Sequence, residues 1–398
     1  MPFQTEIMGI LDMPNELFFM IGENLSVEDL YMFLSTSQYL SSLLTPLLYN
    51  HVLRDIDASS ALPWAAERGS ASVAELAISR GADINKPYGC APEYWGQTPL
   101  HSAAFYNNPH VIRILVAHGA RIDIQARYGE TPLHQAAISG AVEAIEVLLE
   151  LGADTSCVKG WDGTAAHIVA SLGRVSCMEA FVDAGFDLNT RGPLRETLLH
   201  NAATEWMGDR AKRYSMVKYL LGQKEVREAI NAQDYSGSTA LHLAPPGVKT
   251  VRLLLRHGAD TGVKDTLGRT PAHMAAVHGD LGFESLKAII DAGFDITARE
   301  NDGRTVLHHA ATKIRNGESK IVEYLLEQPK VEFIINAQDS EGLTPLAWAA
   351  TAMPCPERER VISLLVLHGA DMEIKDIHGD TPAERICRGP DSDSDSEW

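Results

Sequence analysis

The chain has 398 residues, 45% of them hydrophobic and 22% charged, and its 34 Lys and Arg against 53 Asp and Glu give a formal charge of −19. That apolar fraction supports a buried core and excludes wholesale disorder. The acidity excludes a non-specific grip on nucleic acid or anionic membrane, because phosphate surfaces reward clustered Lys and Arg, and makes neutral or basic protein segments the expected partners.

In chain order, residues 8–50 come first and share no period with the rest of the chain. Pro14 is placed to open a helix on which Leu17, Ile21 and Leu25 keep three-to-four spacing; Ser26 is placed to cap a second helix with Asp29 at its third position; Pro46, after Thr45, is placed to open a third. Three short helices in about forty residues bury too little apolar surface to be stable alone, so a partner or the adjacent chain is needed to cover them. The segment resembles the F-box, with Ile10, Met13, Pro14, Glu16, Leu17, Ile21, Leu25, Asp29 and Leu30 on the family's pattern positions; Ser37-Gln38-Tyr39-Leu40 stands where the family has Cys-Arg. The resemblance implies that Ile10, Met13, Pro14, Glu16, Leu17, Ile21, Leu25 and Leu30 contact a Skp1-like adaptor, and through it a cullin complex.

From about residue 60 a repeat takes over. Thr98-Pro99-Leu100-His101-Ser102-Ala103-Ala104 returns at Thr131, Thr164 and Thr197, each 33 residues on, then more weakly at Thr239, Thr270, Thr305 and Thr344, with degenerate copies at Ser60 and Thr381. Thr at the cap and Pro at the first helical position open an inner helix, and the Ala pair lets a neighbour approach closely. A second apolar stretch such as Ala144 to Leu149 predicts an outer helix, ended by Gly152; His118-Gly119-Ala120, His257-Gly258-Ala259 and His368-Gly369-Ala370 end the same way. Two steps stretch, to 42 residues after Thr197 and 39 after Thr305, placing extra residues around Trp206–Tyr214, Lys313–Lys320 and Gln328–Phe333 in expected loops. Pro245-Pro246 should truncate or kink a helix. Residues 389–398 read as an acidic disordered tail whose serines suit acidophilic kinases.

This repeat resembles the ankyrin family. The resemblance implies an all-α fold: a short three-helix F-box module followed by an ankyrin α-solenoid over 60–388, with hairpin loops and nine to ten repeats. It also implies a concave protein-binding surface of hairpin tips and inner helices. The whole chain is similar to fungal proteins in which an F-box precedes ankyrin repeats, which implies a non-catalytic substrate receptor of an SCF-type cullin-RING ubiquitin ligase, with no cofactor. A second reading stays open, in which the chain is an ankyrin scaffold or inhibitor and residues 8–50 cap the solenoid.

Within the array, Tyr94, Trp95, Tyr128, Trp161 and Tyr235 fall at hairpin tips by phase, and Phe105 and Tyr106 follow the Ala pair on an inner helix. Exposed aromatics of this kind make binding hot spots, so these seven are candidate substrate contacts. Arg210, Lys212 and Arg213 form a basic spot in an insertion and are candidates for an acidic or phosphorylated segment. The motif histidines His101, His134, His167, His200, His242, His273 and His308 lie one repeat apart, too far to converge on a metal, and are assigned to structural hydrogen bonds. The five cysteines stand singly, which suggests a reducing compartment. The first 25 residues lack Lys and Arg, and no run of 18 apolar residues occurs, so the expected location is cytoplasm or nucleus.

Overall fold

The computed structural model describes residues 58–88, 96–204, 209–244, 247–312, 319–352 and 355–388. The expected three-helix module at 8–50, the tip residues Tyr94 and Trp95, Pro245-Pro246 and the acidic tail lie outside the described residues. The chain divides into two compact units, Met1–Gly160 and Trp161–Trp398.

Described residues of the first unit form α1 (Ala58–Arg68), α2 (Ala71–Ser79), α3 (Pro99–Phe105), α4 (Pro109–Ala117), α5 (Pro132–Ser139) and α6 (Val142–Glu150). The odd-numbered helices are inner and the even-numbered ones outer. Ser60, read as a degenerate start of the repeat, lies inside α1 and not ahead of it. The second unit continues the pairing with α7 (Ala165–Leu172), α8 (Val175–Asp183), α9 (Leu198–Ala203), α10 (Arg210–Gly222), the short α11 (Lys224–Glu228), α12 (Ala240–Leu243) and α13 (Val248–Arg256). It then runs through α14 (Pro271–Val277), α15 (Phe283–Asp291), α16 (Val306–Thr312), α17 (Lys320–Leu326), α18 (Pro345–Thr351), α19 (Pro356–Leu367) and α20 (Pro382–Arg388). Strand structure is confined to two-residue segments, Val158–Lys159 and Gly163–Thr164, among the described residues.

Each inner helix starts for a reason visible in its first four residues. Thr270 is extended, Pro271 occupies the first helical position, and the backbone N–H of Thr270 donates to His273 Nδ1 at 3.2 Å, with the Thr hydroxyl 2.8 Å from the same nitrogen. The arrangement repeats at Thr98, Thr131, Thr197, Thr239 and Thr305 with N–H to Nδ1 distances of 3.0–3.2 Å. It is a capping box in which His replaces the usual Glu. A backbone N–H only donates, so Nδ1 is unprotonated and Nε2 carries the proton. That proton goes to a hairpin carbonyl of the next copy: His101 to Glu130, His200 to Ser238, His242 to Arg269 and His308 to Leu343, at 2.9–3.2 Å. One side chain thus caps its own helix and ties it to the next hairpin. Structural hydrogen bonding, the role expected of the motif histidines, is what these four perform; His167 and His273 reach their own Thr through Nδ1, and their buried Nε2 has no partner among the described residues.

The Ala pairs 103–104, 136–137, 202–203, 275–276, 310–311 and 349–350 are buried, as are the outer-helix pairs Ile112 and Leu115, Ile145 and Leu148, Met178 and Phe181, Val251 and Leu254, and Leu286 and Ile289. Small residues set the close spacing of inner helices, and each fully buried Leu or Ile contributes roughly 1.5–3 kcal/mol. Outer helices end in the Gly-Ala motif. In α13, Gly258 at φ +93° donates to the Leu255 carbonyl and Ala259 to that of Leu254, the two bonds of a Schellman motif. Nothing lies within 4 Å of where a Gly258 Cβ would stand, so the left-handed backbone and not crowding requires the glycine.

Two copies depart from this pattern. The insertion around Trp206–Tyr214, expected as a loop, instead extends α10 to 13 residues, capped by Asp209, whose carboxylate accepts from the Ala211 N–H at 2.8 Å. Its first turns pack so closely on Gly173 that a Cβ there would come within 2.7 Å of the Lys212 backbone. Ahead of Pro245, α12 is cut to four residues, as the Pro pair predicts. The extra residues after Gln328 form a short 3₁₀ turn, Val331–Phe333, and leave Phe333 exposed.

Candidate functional site

Hairpin tips in the second unit are built by a bracket and a ladder. The bracket is an Asp whose Oδ1 accepts two backbone N–H groups: Asp265 from Leu267 and Arg269, Asp339 from Glu341 and Leu343, Asp376 from His378 and Asp380, at 2.8–3.0 Å. Such a side chain holds the tip in one conformation at little entropic cost. The ladder joins neighbouring tips through the backbone: Tyr235 N–H to Leu194, Thr266 to Ser236 and Asn301 to Leu267, at 2.8–3.0 Å. Asn clamps brace the opposite end. Asn231 accepts from the Asp260 N–H at 2.8 Å and donates to the Gly258 carbonyl, and Asn336 does the same for Asp371 and Gly369. A rigid row of tips results, with side chains left to face outward.

On that row Trp161 is 77% exposed and Tyr235 is 76% exposed. Between and beyond them stand two side chains the sequence reading did not single out, Leu194 and Leu267, both exposed. Leu194, Tyr235 and Leu267 sit on three tips joined by the ladder, so the structure brings them together as one apolar edge. The next two tips are polar and acidic, with Asn301, Asp302, Ser340 and Glu341, and the tip after them, joined by the Ile377 N–H to Glu341, carries the exposed Ile377. Large exposed apolar groups on a rigid edge are the kind of surface that anchors a partner.

The first unit places its candidates differently. Tyr128 is 67% exposed at a tip, with φ +63° and the Arg127 guanidinium 4.6 Å from its ring centre. Phe105 and Tyr106 form an edge-to-face pair with ring centres 5.2 Å apart, both exposed, at the C-terminal end of α3. Tips join the N-terminal ends of inner helices, so the pair and Tyr128 are separated by the length of a helix, roughly 10 Å at 1.5 Å per residue. They do not form one patch. Tyr94 and Trp95 lie outside the described residues.

The basic spot splits in two. Arg210 and Lys212 are exposed on α10, but Arg213 is only 6% exposed and its Nη1 donates to the Thr204 carbonyl at 3.0 Å. The extended helix causes this: Arg213 shares a face with the buried Met216, Val217 and Leu220. Arg213 therefore ties the end of α9 to α10 and does not project to a ligand, contrary to the sequence expectation.

On the inner helices, the residue after the motif His position reaches back to the hairpin. His309 Nε2 lies 2.8 Å from Glu300, and Trp348 Nε1 donates to Asp339 at 2.8 Å with the Arg304 guanidinium 4.4 Å above its ring. Arg269 pairs with Asp265 at 2.7 Å, and Arg385 pairs with Asp376. Burial drives the motif histidines towards neutrality, with His101, His167 and His308 lowered to about 4 and His273 to about 3. Among the described residues no three His, Cys, Asp or Glu side chains gather as metal ligands, and no helix is long and apolar enough to cross a membrane.

These helix pairs, capped by Thr and His and linked by bracketed hairpins, define an ankyrin-repeat protein, a class of interaction module. The family model for ankyrin repeats, three copies long, matches residues 62–159, 210–300, 246–330 and 282–376, more than half of the chain, and the chain belongs to that family. It is 34% identical over 174 residues to neurogenic locus notch homolog protein 1 of Xenopus tropicalis and 32% identical over 154 residues to that of Homo sapiens, covering 41% and 38% of this chain. Rabankyrin-5 of Mus musculus is 36% identical over 84 residues, or 21% of this chain. The chain spans only 6–7% of the length of these relatives. The repeats give it a protein-binding role.

Proposed function

We propose that this protein is a non-catalytic substrate receptor of an SCF-type cullin-RING ubiquitin ligase. Residues 8–50 bind a Skp1-like adaptor through Ile10, Met13, Pro14, Glu16, Leu17, Ile21, Leu25 and Leu30, and the ankyrin repeats hold the substrate. The receptor performs no bond chemistry. By holding a target near the loaded conjugating enzyme it raises effective concentration and makes lysine attack quasi-intramolecular. Support for the adaptor half is the run Met13-Pro14-Asn15-Glu16-Leu17 with Ile21 and Leu25 at helical spacing.

The observation that carries the substrate half is the apolar edge of Leu194, Tyr235 and Leu267, whose tips the backbone ladder joins and leaves uncovered, with Trp161 exposed at the tip before them in the chain. In the first unit, Tyr128 and the Phe105–Tyr106 pair supply separate contacts. Pull-down of Skp1 by the full chain and by Pro14→Ala with Leu17→Asp tests the adaptor half. Recovery by the wild type and loss by the double variant is the expected result. Equal recovery from both, or none from either, leaves the repeats as a scaffold acting outside ubiquitylation.

A further inference from the structure

Two neighbouring outer helices of the second unit are unlike the rest. Together α10 (RAKRYSMVKYLLG) and α13 (VKTVRLLLR) carry seven Lys and Arg and no Asp or Glu. Every other outer helix described in that unit bears a carboxylate: Glu179 and Asp183 on α8, Glu284 and Asp291 on α15, Glu323 on α17, Glu357 and Glu359 on α19. Six of the seven cations, Arg210, Lys212, Lys218, Lys249, Arg252 and Arg256, are exposed. Arg252 also reaches Glu284 at 3.8 Å. In a chain of charge −19, this is a positive island bounded on both sides by acid.

The island surrounds a groove. Between α10 and α13 lies a cavity of about 560 Å³, floored by Ala202 and Ala203 and walled by Arg210, Tyr214, Lys249 and Thr250. Its floor is the C-terminal end of α9, which with α12 is one of the two shortest inner helices described in the unit, six and four residues against seven or eight in α7, α14, α16 and α18. Asp209, which caps α10 beside Arg210, accepts the Ala211 N–H at 2.8 Å and keeps its negative charge there.

We infer that this groove, on the outer-helix face and distinct from the hairpin tips, docks a short acidic segment of a partner protein, Asp/Glu-rich or serine-phosphorylated. Its cations on both walls meet carboxylates or phosphates, and its small apolar floor admits the backbone and one side chain between them. The acid on α8 and α15 limits the length of the ligand, because an extended polyanion such as duplex nucleic acid would run onto like charge. A concave site a few residues long also does not suit a flat membrane. This inference does not depend on the adaptor reading of residues 8–50.

Fluorescence anisotropy of a labelled decapeptide of alternating Asp and Ser, added to the full chain, tests it. The acidic peptide binds with a salt-dependent affinity, and its Asn-Ser counterpart does not. Lys249→Glu with Arg210→Glu weakens binding by roughly tenfold or more, the milder Lys249→Gln weakens it about threefold, and Lys320→Glu on α17 leaves it unchanged. An unaltered affinity in both Lys249 variants overturns the proposal, as does equal loss in Lys320→Glu. Tighter binding of duplex DNA or phosphatidylserine vesicles than of the peptide overturns it in favour of those ligands. A tenfold gain in peptide affinity on deleting residues 389–398 also overturns it, by making the chain's own acidic segment the occupant.

Discussion

The stretch from Trp161 to Leu267 and the stretch from Gly268 to Leu367 share one backbone plan and carry different surfaces. Thr197 and His200 make the same cap as Thr270 and His273, and the tip ladder continues from Thr266–Ser236 to Ser340–Asp302. Yet the first stretch shows Trp161, Leu194, Tyr235 and Leu267 at its tips and two basic outer helices behind them. The second shows Asn301, Asp302, Ser340 and Glu341 at its tips and mixed charge behind. Interiors built on one plan with different exteriors mean that the fold is specified by a few buried polar bonds and small apolar residues, and that recognition is written on positions the fold leaves open. Helix length can vary too, from four residues in α12 to seven in α14, without disturbing the cap.

If the shared interior rests on neutral histidines, acid should break both stretches together, and this is the largest effect expected. The folded-state values of about 4 for His167 and His308 and about 3 for His273 lie below the ordinary 6.5, so as pH falls the unfolded chain takes up protons first. Their stabilisation is complete above about pH 6.5 and is lost progressively between 6.5 and 4. Going from pH 7 to 5 should remove about 2 kcal/mol for each, roughly 6 kcal/mol in all, comparable with the whole stability of an ordinary domain. Urea unfolding followed by circular dichroism across that range checks it; a midpoint insensitive to pH contradicts the neutral-histidine cap.

A single site gives a smaller loss. His308→Ala removes the acceptor for the Thr305 N–H and the donor to the Leu343 carbonyl, leaving both buried, and should cost about 2–4 kcal/mol. Thermal denaturation measures it. A cost below about 1 kcal/mol would show that the Thr–His bonds do not carry the helix start. The copy at Thr344 gives an internal comparison, since Ala347 stands at the His position there and the Thr344 hydroxyl simply accepts its N–H at 3.2 Å.

The sequence made the interior readable because its signals are local. Thr, Pro, His and the Ala pair lie within seven residues, and the Gly-Ala ending marks each outer helix. Leu194 and Leu267 escaped because a single Leu in a loop is ordinary until the backbone ladder shows which tips are neighbours. The Asn clamps Asn231 and Asn336 escaped for the same reason, their partners being 27–35 residues away. Arg213 shows its place only once the insertion is seen as helix, its spacing to Met216, Val217 and Leu220 being that of one buried face. The basic groove needed two helices whose cations lie about forty residues apart in the chain and meet only in the fold.

The smallest effect on stability and the largest on recognition should coincide at the tips. Trp161→Ala with Leu194→Ser and Tyr235→Ala changes exposed side chains only and should alter stability by less than about 0.5 kcal/mol per site. The most direct measurement is quantitative capture of cellular proteins by the chain lacking residues 1–50, with and without these three substitutions, beside melting curves for both. An unchanged melting temperature with at least tenfold loss of a specifically captured target is the predicted result. An unchanged set of captured proteins at full recovery would contradict the claim that recognition resides on this edge.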